Sequence, residues 1–134
     1  MSDNFIESYR VSSVLNKNVK EYGKKYLFDG NTETCWNSEA HNNQFIFMNL
    51  YENKLLKSFS IQFQGGFSGK HCSVEGLVDN EALEIHEFYP KDINKRQLFS
   101  FNFKNSYKTY KINFYDSADL FGRIVIYNLY LDFI

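Results

Sequence analysis

The chain has 134 residues, 43% hydrophobic and 23% charged, with a net charge of -1, which fits one soluble globular domain. No apolar run approaches the roughly 20 residues of a transmembrane helix, and the near-neutral balance gives no electrostatic footprint for nucleic acid or anionic lipid. Met1 to Phe5 lacks the basic-then-apolar order of a secretory leader.

In chain order, residues 18–27 suit one short helix interrupted by Gly23. Asp29, Gly30, Asn31 and Thr32 then make a tight polar turn whose side chains can bond their own backbone. Residues 45–50 are nearly all apolar, the pattern of a strand buried on both faces. Phe59, Ile61 and Phe63 alternate with Ser60, Gln62 and Gln64, which predicts a half-buried strand. Residues 65–71, with three glycines, read as a flexible loop, and residues 78–88 are ambiguous between strand and helix. Glu81, Glu84 and Glu87 read as a solvated face, and His86 as structural or surface. Phe99, Phe101 and Phe103 alternate again, as do Tyr110, Ile112 and Phe114. Residues 123–131 are β-rich through Ile124, Val125, Ile126 and Tyr127. Many strands separated by turn signals, without amphipathic helices between them, predict a single all-β sandwich over residues 1–134.

Aromatic residues reach 19%, from 14 Phe, 10 Tyr and one Trp. Asn and Lys are abundant too, and all four types have A- and T-rich codons, so the rings are read first as bulky core filling. Cys35 and Cys72 are the only cysteines and lie outside any metal-ligand spacing, so two reduced thiols are expected. The three histidines, His41, His71 and His86, accompany no strained Gly-x-Ser-x-Gly turn, P-loop or dinucleotide glycine pattern. No enzyme is expected.

Asp29, Gly30, Thr34 and Trp36, followed by Gln44 to Phe47, resemble the opening motif of discoidin, or coagulation factor 5/8 type C, domains. A closer resemblance runs along nearly the whole chain. It is carried by residues 10–16, 23–25, 33–38, 61–68, 88–90 and 121–127, and it points to the small nuclear receptor-associated proteins of that fold group. The resemblance implies a galactose-binding-like (discoidin, F5/8 type C) jelly-roll β-sandwich without catalysis, in the cytoplasm or nucleus, with a protein partner. Its alternative is a carbohydrate- or calcium-dependent ligand module.

Calcium is not required on this reading. The resemblance would place an ion among Phe28, Asp29, Asn31, Thr34 and the late Asn128, where a neutral amide stands in place of the usual Glu. That lost charge weakens a hard-cation site. Trp36 is expected as a core anchor, and Arg123 as a tie to Asp29 or Asp119. The ligand surface is expected at loop tips carrying Asn37, His41, Phe67, Lys70 and His71, with Phe67 exposed.

Overall fold

Phe59, Ile61 and Phe63 are buried while Ser60 and Gln62 are only half-buried, because successive strand residues face opposite sides of a sheet. The computed structural model describes residues 2–134, and nine strands run among them. The first five are β1 (Ile6–Val11), β2 (Trp36–Asn37), β3 (Gln44–Lys54), β4 (Leu56–Phe63) and β5 (Cys72–Val78). They are followed by β6 (Glu81–Phe88), β7 (Arg96–Ser100), β8 (Tyr107–Phe114) and β9 (Val125–Phe133). Neighbours pair antiparallel in the order β1-β3-β8-β5-β6 in one sheet and β2-β9-β4-β7 in the other.

The facing sides of the sheets bury Trp36, Phe59, Phe63, Tyr110 and Phe114 almost completely. Rings meet edge to face, as in Phe63 with Phe114 at 5.9 Å and Phe59 with Phe88 at 5.1 Å. Each such side chain contributes roughly 1.5–3 kcal/mol by leaving water. About half of the aromatic excess is therefore the filling of this sandwich or packs against it.

Several expectations are corrected. Ile46, Met48 and Leu50 of β3 are buried, but Phe45 and Phe47 on its other face are only half-buried. Arg10 and Lys111 cover those two rings, at 4.7 Å from Phe47 and 4.6 Å from Phe45, in place of a second protein layer. The alternation at Phe99, Phe101 and Phe103 continues past the end of β7, where Phe101 N–H still donates to Lys57 C=O at 2.9 Å. Residues 81–88 are a strand, so Glu81 and Glu87 point out while Glu84 turns inward.

The expected helix is two short pieces, α1 (Val19–Tyr22) and a 3₁₀ turn (Lys24–Leu27). Gly23 separates them at ψ 174, and a Cβ there would lie 2.4 Å from Val19 O. Strand directions bring residues 12–18, 38–43, 64–71, 89–95 and 115–124 to one end of the sandwich. Hydrogen bonds link them, among them Asn43 N–H to Tyr115 O, Tyr115 N–H to His71 O and Gly65 N–H to Asn94 Oδ1.

Candidate binding site at the loop end

Gln44, fully buried at the start of β3, organises one side of this end. Its Oε1 accepts from Ser12 and Ser13 Oγ, and its Nε2 donates to His41 C=O at 3.0 Å. Ser13 also accepts from Glu39 N–H at 3.0 Å, and its carbonyl accepts from Trp36 Nε1 at 2.9 Å. Trp36 is fully buried with its polar atom satisfied, so it ties β2 to the 12–18 segment.

The 64–71 loop is pinned despite its glycines. Asp92 Oδ1 accepts from Gly66 N–H and Ser68 Oγ, both at 2.8 Å, and Asn94 Oδ1 accepts from Gly65 N–H at 2.7 Å. Asp116 Oδ1 accepts from His71 N–H at 2.7 Å. The expectation of a flexible loop is thus corrected: the backbone N–H of Gly65, Gly66 and His71 end on side chains of neighbouring loops.

Residues 115–124 form the third wall. Ala118 N–H donates to Ser68 C=O at 2.8 Å, and Ser117 Oγ donates to Arg123 C=O at 2.7 Å. Asp119 Oδ2 accepts from Arg123 N–H, and its carbonyl accepts from Gly122 N–H, each at 3.0 Å. Gly122 has φ +91 and lies so close to His41 that a Cβ would sit 2.5 Å from that residue's carbonyl carbon. This knot holds Leu120 and Phe121 outward, 89% and 70% exposed. Both side chains thus stand in water between hydrogen-bonded neighbours. Composition could not show this, because apolar residues are assigned to cores by default.

The expected tip residues part company. Asn37 is not at a tip; it is 6% exposed in β2, with Oδ1 lacking a hydrogen-bond partner. His41 and Lys70 are exposed. Phe67 is half-buried, its ring under the Arg123 guanidinium at 4.4 Å. Arg123 reaches Asp119 through its backbone N–H alone, and the ion pairs among the described residues leave its guanidinium out. That corrects the expected salt tie.

His71 stacks on Tyr89 at 5.4 Å with an interplanar angle of 9°, and its Nε2 lies 3.0 Å from Glu87 Oε2. Hydrogen bonds from Tyr89 and His71 hold the Glu87 carboxyl below its ordinary range, and Glu87 in turn raises the Tyr89 phenol.

The Asp29 turn closes on itself. Asp29 Oδ1 accepts from Asn31 N–H at 3.0 Å and Oδ2 from Thr34 Oγ1 at 2.5 Å. Phe28 is buried with its ring edge-on to Tyr9 at 5.1 Å. Asn128 is 2% exposed and its Oδ1 lacks a partner. Of the expected ligands, Asp29 is thus a carboxylate already bonded within its own turn and Asn128 a neutral amide, whereas a calcium ion takes roughly six to eight oxygens, carboxylates among them. The described residues also gather no group of three His, Cys, Asp or Glu side chains that could hold a metal. Both cysteines are free thiols, and burial raises the pKa of each.

Comparison with known proteins now decides the family. The chain is 47% identical to nuclear receptor 2C2-associated protein of Xenopus laevis over 121 residues, 90% of this chain and 88% of that protein. Against its namesake in Homo sapiens it is 43% identical, over 90% of this chain and 86% of the relative. The chain belongs to the nuclear receptor 2C2-associated protein family. No family model matches it.

Among solved structures it is similar to the family 32 CBM from C. perfringens NanJ in complex with galactose. That match has a TM-score of 0.74 and 15% identity, over 92% of this chain and 91% of the other. The C-terminal domain of a chitobiase from Bacteroides fragilis gives 0.76 at 16% identity, over 100% and 97%. An F5/8 type C domain from the same organism gives 0.72 at 16%, over 92% and 89%. The fold is therefore the galactose-binding-like jelly-roll sandwich of the discoidin type.

Proposed function

We propose that the chain is a non-enzymatic binding module that takes a protein partner at its loop end, with Leu120 and Phe121 as anchors, in the cytoplasm or nucleus. The observation that carries this reading is the exposure of both side chains on a loop whose flanking residues, Ser117, Asp119, Gly122 and Arg123, are hydrogen-bonded to one another. A preorganised apolar pair spends little ordering entropy on binding. The relatives' name, nuclear receptor 2C2-associated protein, supports a protein partner, and the fold neighbours are themselves binding modules.

The test is biolayer interferometry of the purified chain against nuclear receptor 2C2. Wild type is expected to bind, and Leu120→Ser/Phe121→Ser to bind at least about tenfold more weakly, since each anchor carries on the order of 2 kcal/mol. Equal binding by both proteins overturns the assignment of this loop. Absence of binding by wild type overturns the receptor as partner.

A second reading rests on the ring of Phe121 alone, which could stack on a sugar as an exposed aromatic face. Hits on a glycan array that vanish in Phe121→Ser would favour it over the protein partner.

A further inference from the structure

Beside α1 the surface hollows into a cavity of about 510 Å³, within the roughly 300–1,000 Å³ range of ligand pockets. Its floor is apolar. Val11 and Val14 pack against the core, and Val19 is 64% exposed. Around this floor stand Arg10, Lys20, Lys24 and Lys25, and none of the described lining residues is acidic. All four cations are exposed.

Three of the four cations are held by aromatic rings, and no ion pair among the described residues involves any of the four. Arg10 lies 4.7 Å from the Phe47 ring centroid, Lys24 4.8 Å from that of Tyr9, and Lys25 5.1 Å from that of Tyr26. Lys24 Nζ also donates to Tyr9 C=O. Such contacts orient a positive group without cancelling its charge. The ion pairs among the described residues involve Lys54, His71 and His86, none of which lines the hollow. Glu39 accepts from Asn16 N–H, Glu21 lies on α1 and Glu7 on β1, and no ion pair among the described residues joins any of them to the rim. A chain of net charge -1 thus concentrates four positive groups around one apolar hollow.

We propose that this hollow docks an acidic peptide segment of a partner protein, an aliphatic side chain entering the valine floor while flanking carboxylates meet the cationic rim. The inference rests on the reading of the chain as a protein-binding module but uses a different surface from Leu120 and Phe121. Charge complementarity selects an acidic occupant. The concave floor selects a protruding aliphatic side chain over the flat surface of a bilayer, and the overall negative charge opposes adhesion to anionic lipid.

The test uses fluorescence polarisation with a fluorescein-labelled peptide, Asp-Glu-Leu-Leu-Glu-Asp-Leu-Leu-Asp-Glu. Two controls replace its carboxylates by amides or its leucines by serines. The expected result is salt-sensitive binding of the acidic peptide, weaker for both controls. Lys20→Glu/Lys25→Glu should weaken it by about tenfold or more, as two exposed charge contacts reverse sign. Val19→Asn should weaken it as well. Both variants change exposed side chains, and an unchanged melting temperature verifies their folding.

Leu120→Ser/Phe121→Ser should bind the peptide as wild type does while losing the receptor, which separates the two surfaces. Equal peptide binding by Lys20→Glu/Lys25→Glu, or no peptide binding by wild type, overturns the proposal. So does capture by phosphatidylserine vesicles without peptide binding, which would make the hollow a lipid site.

Discussion

The guanidinium of Arg123 lies 4.4 Å from the centroid of the Phe67 ring, and its Nε is shielded from solvent without a hydrogen-bond partner. The ring's negative face stabilises the cation, and the loss of water at Nε offsets part of that gain. The net contribution is about 1 kcal/mol, within the ~0.5–2 kcal/mol measured for such pairs. Arg123→Ala should therefore lower the melting temperature by a few degrees, on the order expected for 1 kcal/mol in a domain of this size. Arg123→Lys should recover only part of the loss, because an ammonium keeps the charge but cannot stack its plane on the ring. Differential scanning calorimetry checks both, and an unchanged transition in Arg123→Ala would show the contact to be idle. The same pair shows why sequence misplaced Phe67. The ring and its cation lie more than fifty residues apart, and no local pattern joins them.

Strand β6 shows what one register decision does to an entire element. Leu83 and Ile85 are over half exposed, while Glu84 and His86 turn toward the sandwich. The carboxylate of Glu84 accepts from Lys104 N–H at 2.7 Å, Tyr107 OH at 3.0 Å and Asn105 N–H at 3.3 Å, and lies 2.8 Å from His86 Nε2. Burial alone would raise its pKa, but these hydrogen bonds together outweigh burial and hold it below its ordinary value. A depressed folded pKa gives stability that is fully present above the unfolded value, about 4.3, and is lost as pH falls through the folded value. Glu84→Gln should be less stable than wild type by about 1 kcal/mol at pH 7, since the amide keeps one acceptor oxygen where the carboxylate serves the N–H of Lys104 and Asn105 and the hydroxyl of Tyr107. Urea titrations should show the gap narrowing as pH drops below about 4.5. A gap that stays constant from neutral to acid would place the stabilisation elsewhere.

The legibility of the elements follows the same physics. Strands β4 and β8 could be read because one face is apolar and the other polar. Strand β5 could not, since it lies between β8 and β6 with Cys72, Ser73 and Val74 buried in succession and Gly76 pressed against the Tyr107 ring. Ser, Glu and Gly are poor strand formers, and only the neighbours make that segment a strand. Strand β1 shows a similarly weak alternation and owes its place to pairing with β3.

At the scale of the whole molecule, family membership and fold give the same sandwich but different chemistry at its turns. The discoidin resemblance of the sequence would place a cation at the Asp29 loop, yet its carboxylate is bonded within the turn and Asn128 brings no charge. Metal-independent stability is the expected consequence. An ion held with a millimolar dissociation constant and supplied at about ten times that level would add roughly 1.4 kcal/mol. That is enough to raise the melting temperature by several degrees in a domain of this length. Thermal melts in chelator and in calcium at about ten millimolar should instead coincide. A rise that grows with calcium and reverses with chelator would mean that the unpartnered Asn128 Oδ1 completes a cage with the carbonyls of the turn. Asn128→Leu should then abolish that shift while leaving the chelated protein at least as stable, because it removes a buried acceptor that has no donor. The two melts together separate a turn that is closed by its own hydrogen bonds from one that an ion must close.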